Sequence, residues 1–279
     1  MLLVATIKRN YDAGRFFPAG ARGLGSSTVH SVGAVPKSSG AIREIHALLD
    51  INKGIYYTSM YWSRVETVCK AMTKNCWFWR IDICDYYRNV EVDPADWELL
   101  AFRFKLAVGD PLSEFWDSRM EFGHRNSVEI AHRLTCAILA AMESKGVVNV
   151  TAILDDFIGA ERTREAAEVA FKIAVGICKM LGFPLTYGPD KTHGPSQTTK
   201  WNGVFWDSRS MTVSVAKDKV EKFKVMISDT LTGGCSRNPT LTREVFETVR
   251  GRLVWAAGVR LVGIGNKVDF GQIRASPHN

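Results

Sequence analysis

The sequence predicts an α+β fold whose strands share one antiparallel sheet. Three observations lead there: apolar runs of strand length alternate with amphipathic helical stretches, Gly, Pro and Asp punctuate the steps between them, and two of the apolar runs carry carboxylates where a core is expected. The first acidic run is Arg80-Ile81-Asp82-Ile83-Cys84-Asp85-Tyr86-Tyr87, and the second is Ala152-Ile153-Leu154-Asp155-Asp156-Phe157-Ile158. Ionised groups inside apolar sequence are costly unless a cation satisfies them. If both runs belong to one sheet, their carboxylates converge on divalent metal.

Each element follows from local pattern. Residues 1–31 are rich in Gly, Arg, Ser and Ala, with Gly14, Gly20, Gly23 and Gly25 closely spaced, and read as a loop or extended arm. Val32 to Lys37 and Ala41 to His46 flank Ser38-Ser39-Gly40, which predicts a β-hairpin with a basic tip. Trp77 to Asp85 is a strand running into the first acidic site. Asn89 to Phe104 predicts a second strand, a turn at Asp93-Pro94-Ala95-Asp96, and a third strand. Ser127 is placed to cap a helix on which Ala131, Leu134, Ile138, Leu139 and Met142 fall at helical spacing up to Gly146. Val147 to Leu154, Asp155-Asp156 and Phe157-Ile158-Gly159 predict a hairpin with acid at its turn. A second amphipathic helix spans about Thr163 to Leu181, closed by Gly182 and Pro184. Two basic amphipathic helices follow, about Lys217–Leu231 and Thr242–Ala257, separated by Gly233-Gly234 and Pro239.

A chain of 279 residues with 46% apolar content buries a substantial core. No stretch approaches the roughly 20 apolar residues of a membrane span, so no membrane partner and an intracellular location, cytoplasmic or nuclear, are expected. The six cysteines (69, 76, 84, 136, 178 and 235) lack Cys-x-x-Cys spacing and predict reduced thiols rather than a zinc site or disulfide framework. Charge is uneven. Residues 1–75 carry 10 Lys/Arg against 4 Asp/Glu, residues 76–199 carry 13 against 18, and residues 200–279 carry 13 against 7. Basic flanks around an acidic middle suit a protein that grips a polyanion while holding metal at its centre.

The order of these pieces, from about Ser31 to the C-terminus, resembles the reverse transcriptases of retrotransposons, and among them the DIRS-like tyrosine-recombinase elements. Val32-Gly33-Ala34-Val35-Pro36-Lys37 with Ile42-Arg43 resembles the fingers hairpin, which implies that Lys37 and Arg43 hold the incoming triphosphate; ammonium and guanidinium groups suit phosphate oxygens. Asp82-Ile83-Cys84-Asp85-Tyr86-Tyr87 resembles motif A. The resemblance makes Asp82 the primary metal ligand, counts Ile83 among the metal-binding positions, lays Asp85 and Tyr86 under the triphosphate, and gives Tyr87 the role of excluding a ribose 2′-hydroxyl. Phe122-Gly123-His124-Arg125-Asn126-Ser127 resembles motif B, with Phe122 and Gly123 at the base pair and Arg125 and Ser127 at the template strand. Met120-Glu121 stands where Leu-Pro is usual, and Val128 where proline is usual.

Ile153-Leu154-Asp155-Asp156 resembles motif C, with Ile153 in place of the usual aromatic residue. An isolated Asp-Asp at a turn is ordinarily a turn or cap, so the order of the motifs gives this pair its meaning. Gly188-Pro189-Asp190-Lys191 resembles motif D, whose lysine protonates the leaving pyrophosphate, and Lys200-Trp201-Asn202-Gly203 resembles motif E, the primer grip of Trp201 and Gly203.

The resemblance implies a right-hand polymerase. Its parts are an N-terminal arm and fingers over 1–75, a palm with a ferredoxin-like core over 76–212 that takes a fingers insertion near 101–121, and a partial helical thumb over 213–279. Its chemistry is two-metal phosphoryl transfer, with two Mg2+ ions, or Mn2+ in their place, held by Asp82, Asp155 and Asp156. Primer on an RNA or DNA template and dNTPs are the expected partners, along with a ribonuclease H or recombinase encoded separately or downstream. The alternative is a domesticated remnant that binds nucleic acid without catalysis, favoured by Glu121, Val128 and Ile153. A viral RNA-dependent RNA polymerase shares the palm but fits Tyr87 poorly.

Overall fold

The structure, a computed structural model, describes residues 2–19, 28–36, 40–56, 58, 60, 65–107, 109–188, 190–232 and 243–262. Lys37 and the hairpin tip at 38–39, the arm at 20–27, Pro189, Gly233-Gly234, Pro239 and Cys235 lie outside the described residues. In chain order the elements are α1 (Leu2–Asp12), β1 (Phe16–Pro18), β2 (Val29–His30), β3 (Val32–Pro36), β4 (Ile42–His46), α2 (Leu49–Gly54), α3 (Val65–Ala71) and β5 (Trp77–Asp82). They continue with β6 (Ala101–Phe104), β7 (Ser113–Asp117), α4 (Ser127–Glu143), β8 (Val150–Ile153), β9 (Asp156–Glu161), α5 (Arg164–Met180) and β10 (His193–Ser196). The last are β11 (Thr198–Trp201), β12 (Val204–Asp207), β13 (Thr212–Val215), α6 (Lys217–Thr232) and α7 (Arg243–Val262). Two units interleave along the chain: Met1–Tyr61 with Cys84–Ala137, and Trp62–Ile83 with Ile138–Asn279.

The first unit holds a four-stranded sheet in the order β1-β7-β6-β2 and the predicted hairpin β3–β4, in which Val35 pairs with Arg43. Several expectations are corrected here. The strands do not share one antiparallel sheet: those described divide among sheets of four, four, three and two strands, packed around separate cores, and β2 pairs with β6 in parallel. The N-terminal arm begins as helix α1, because Leu3, Ile7 and Tyr11 recur at helical spacing and pack on Phe16, Phe102 and Phe115. Its glycines start only at Gly14, past the helix end. The strand expected from Asn89 is replaced by two 3-10 turns, Tyr86–Asn89 and Pro94–Leu100. Asp93 explains the second, since its carboxylate accepts from Ala95 N at 2.9 Å and Pro94 stands at the first helical position. The expected third strand is present as β6. Ser127, read as a cap, is the first residue of α4 itself.

The second unit is built on the sheet β10-β5-β9-β8, antiparallel throughout. Its own elements run β5, β8, β9, α5 and β10 in sequence, and α4, which spans the boundary between the two units, comes between β5 and β8 along the chain. Thr163 caps α5 through its hydroxyl, which accepts from Ala166 N at 3.1 Å, and Gly182 follows the helix end with φ +80°. Helix α5 buries Ala167, Ala170, Ala174 and Ile177, and its Phe171 ring meets Trp79 of β5. The opposite face of the sheet, with Phe78, Ile158 and Ala160, packs on the three-stranded sheet β11-β12-β13 through Trp201, Trp206, Val213 and Val215. Val68 and Met72 of α3 and Ala256 of α7 join that core. Burying each of these large side chains contributes about 1.5–3 kcal/mol, so this face is well fixed. Cys76, Cys84, Cys136 and Cys178 are free thiols. Among the described residues no helix is long and apolar enough to cross a membrane.

Candidate functional site

Strand β5 is central in its sheet and ends at Asp82. Alternation puts Phe78, Arg80 and Asp82 on one face, and the register sets Asp82 opposite Asp156 and Arg80 opposite Ile158 on β9. The tight β8–β9 turn consists of Leu154 (φ +55°) and Asp155. Ile83 N donates to Asp155 O at 2.9 Å, which pins that turn to the end of β5. The Asp82 backbone is fixed on both sides: its N–H donates to Thr192 Oγ1 at 2.9 Å and its carbonyl accepts from Thr186 N at 2.9 Å. Asp82 of the first acidic run and Asp155-Asp156 of the second therefore meet at one end of two neighbouring inner strands, as their sequence suggested.

Their charges are met by two cations. Lys191 Nζ lies 2.7 Å from Asp82 Oδ2, and Arg80 Nη2 lies 2.7 Å from Asp156 Oδ1. Arg80 Nη1 also donates to Asp190 O at 3.1 Å and to Lys200 O, and the Trp201 indole N–H donates to Asp156 O at 3.0 Å. Burial pushes the Asp156 carboxyl up to about 7; Arg80 opposes this, and Asp155 and Asp82 add to it. Trp201 is fully buried, and Asn202 (φ +49°) and Gly203 (φ +73°) form the tight turn into β12. Sequence reasoning missed Arg80. Its signal was its place two residues before Asp82, hence on the same strand face.

In the first unit Arg43, Phe122 and Tyr87 come together: the Arg43 guanidinium sits 4.6 Å over the Phe122 ring, whose centroid is 4.5 Å from that of Tyr87. Arg15 Nη1 lies 3.2 Å from Asp85 Oδ2, and Arg9, Arg15, Arg43 and Arg88 line one cleft with Asp85 and Phe122. Tyr86 points elsewhere. It is buried, and its hydroxyl meets Ala131 O at 3.2 Å and Thr135 Oγ1 at 2.9 Å on α4. Gly123 is required by close approach, since a Cβ there would fall 2.1 Å from His46 O at φ +120°. Asn52, another residue missed in the sequence, clamps this loop: its Nδ2 donates to Gly123 O at 2.7 Å and its Oδ1 accepts from Arg125 N at 2.8 Å. The Arg125 side chain donates to Ile55 O at 2.7 Å, and the buried Ser127 lines a cavity of about 470 Å³ with Met120, Glu121 and Ile130.

Glu121, a departure from the motif B pattern, belongs to a buried network. Its Oε2 lies 3.4 Å from His46 Nδ1, and Arg88 Nη1 lies 2.6 Å from Asp117 Oδ2, with Glu44 3.7 Å from Arg88 Nε. Among the described residues His46, Asp117 and Glu121 are the one set of three metal-ligating side chains with donor atoms within 4.8 Å of one another. Both Asp117 oxygens are already engaged, by Arg88 and by Arg119 N at 2.9 Å, so this set is an ion-pair and proton-sharing network. Asp82, Asp155 and Asp156 do not gather as closely.

No family model matches the sequence, and no curated protein matches it. Solved structures match the fold. A foamy viral protease-reverse transcriptase in complex with dsDNA matches with a TM-score of 0.69 at 12% identity, over 91% of this chain and 47% of that one. The same enzyme in complex with an RNA/DNA hybrid matches with a TM-score of 0.65 at 12% identity, over 90% and 30%. The native Prototype Foamy Virus Protease-Reverse Transcriptase matches with a TM-score of 0.58 at 13% identity, over 91% and 35%. The chain spans less than half the length of each. It has the reverse transcriptase fold at low sequence identity.

Proposed function

We propose that this chain is the polymerase core of a retrotransposon reverse transcriptase, of the DIRS-like kind, adding deoxynucleotides to a primer 3′-end on an RNA or DNA template. The observation that carries the reading is the pairing of Asp82 with Asp156 across β5 and β9, with Asp155 at the adjoining turn, in a chain of that fold. On this reading the second unit supplies the palm core, with α6 and α7 as the start of a thumb, and the hairpin β3–β4 belongs to the fingers.

The donor set fits magnesium. Carboxylates of Asp82 and Asp155 and the Ile83 carbonyl are hard oxygen donors on rigid backbone, with Asp156 adding negative charge beside them and without the sulfur or imidazole that would select another metal. Bound there, two ions supply charge stabilisation at the attacking 3′-oxygen and the leaving pyrophosphate. Lys191 is placed to hold a proton for that leaving group, being an ammonium tethered to the carboxylate edge. Arg43, packed on Phe122, and Lys37 bind phosphate oxygens, with Arg15 beside Asp85 adding positive charge to the same unit. The tightly packed Tyr87 ring excludes a 2′-hydroxyl. Basic residues of α6, Lys217, Lys219, Lys222 and Lys224, grip the duplex through its phosphates.

Primer extension on matched RNA and DNA templates, with dNTPs or rNTPs and with Mg2+ or Mn2+, tests the proposal. Deoxynucleotide addition on RNA template is expected; a protein that extends no primer under any combination overturns it. The ion pairs on Asp82 and Asp156 favour one second reading, a remnant that binds duplex without catalysis, whose signature is salt-dependent duplex binding with no extension.

A further inference from the structure

The two cations on the carboxylate edge are not alike. Lys191 is half exposed (49% for its side chain), and its ammonium pairs with Asp82. Only the lysine end of this pair is exposed, Asp82 being buried, so another cation can reach the carboxylate and take the place of the ammonium. The Arg80 side chain is 5% exposed, and its planar fork is spent on three partners from three segments: the Asp156 carboxylate, the Asp190 carbonyl beside Lys191, and the Lys200 carbonyl of β11. Taking Asp156 away from it would leave a buried guanidinium unpaired, which is strongly unfavourable. The Asp156 backbone is held as well, by the Trp201 indole.

We infer that Arg80 is a positioning residue of this site: it holds Asp156 as an ion-pair partner and ties the Lys191 loop to β5, so that divalent cation falls to the carboxylates of Asp82 and Asp155. This deepens the polymerase reading, on which its catalytic consequence rests. Asp156 then serves as a fixed negative charge next to the site, and Arg80 as the strut that sets the spacing of β9, β11 and the loop at 190–191 around Asp82. The sheet order supports this division, because β5 is the strand that neighbours both β9 and β10.

Binding of Mn2+ to the full chain, followed by the electron paramagnetic resonance signal of free Mn2+, tests the inference without requiring catalysis, and thermal midpoints verify folding. Arg80→Gln frees the Asp156 carboxylate and removes a positive charge, so Mn2+ should bind more tightly, on the order of tenfold. Asp156→Asn leaves the guanidinium unpaired facing the site and should weaken binding by a similar factor. The double variant Arg80→Gln/Asp156→Asn exchanges the ion pair for an amide pair and should bind Mn2+ within about threefold of the parent. Asp82→Asn should lose binding in every background. In primer extension Arg80→Gln should lower kcat far more than the KM for dNTP, with partial rescue by Arg80→Lys.

A double variant that loses Mn2+ as Asp82→Asn does makes Asp156 a ligand and overturns the inference. So does a folded Arg80→Gln protein whose Mn2+ affinity is unchanged or weaker. If Arg80→Gln fails to fold, the double variant and Asp156→Asn carry the comparison. If the parent chain adds no nucleotide, the polymerase reading fails while the Mn2+ comparison still decides the role of Arg80.

Discussion

Glu121→Gln should make the protein more stable at alkaline pH, although it alters a fully buried carboxyl. Burial raises the Glu121 carboxyl well above its ordinary value, and the neighbouring Asp117 raises it further, with Arg88 opposing. Asp117 is raised too, by burial first, and the two carboxyls are close enough to share a proton. The fold therefore keeps a proton that the unfolded chain has already released. Stability from this group is complete below about pH 4.5 and is lost as pH rises toward the folded value, by about 1.4 kcal/mol for each pH unit in that window. Glutamine keeps the outline of the protonated acid and does not titrate. Urea unfolding should give parent and variant similar stability near pH 5 and a variant that is the more stable near pH 8, the gap widening by at most about 1.4 kcal/mol per pH unit. In thermal melts the midpoint of the variant should be the higher at pH 8 and match the parent near pH 5. The neighbouring His46 is held neutral by burial, with its pKa lowered to about 3, so it costs stability as pH falls below about 6.5 in both proteins and cancels from the difference. A variant less stable by the same amount at both pH values would refute the reasoning, because Glu121 would then act as an ionised partner of His46 and Arg88.

Gly123→Ala should destabilise the protein by about 2–3 kcal/mol in urea titrations, because its Cβ meets the His46 carbonyl at a φ that alanine rarely adopts. Lys191→Gln should lower kcat for nucleotide addition by about a hundredfold in single-turnover assays, with little change in nucleotide KM. Tyr87→Ala should raise the ratio of ribonucleotide to deoxynucleotide incorporation, by opening the space its ring fills against Phe122; an unchanged ratio removes it as the sugar gate.

Elements with a strong period and clear stop signals are legible in the amino-acid sequence: the hairpin β3–β4, strands β5, β8 and β9, helix α5 between Thr163 and Gly182, and the two basic helices. Helix α1 is hidden because the glycines that follow it dominate the composition of residues 1–31, while its own apolar spacing is short. The segment from Asn89 has strand-like residues, but a local hydrogen bond from Ala95 to the Asp93 carboxylate outcompetes extension. The carboxylates are legible because charge in an apolar run is costly whatever surrounds it. Arg80 is not. A lone arginine on a strand is ordinarily a solvated edge, and its value here comes from a carboxylate 76 residues away and carbonyls further still. Glu121 likewise reads as a departure from a motif until His46, on β4, is placed beside it.

Primer extension by Asp82→Asn, set beside the parent chain with thermal midpoint and duplex affinity measured on the same samples, tests the central claim most directly. The account predicts a fall in nucleotide addition of at least about a thousandfold, with folding and duplex binding unchanged. Extension retained by a folded, duplex-binding Asp82→Asn protein would contradict it.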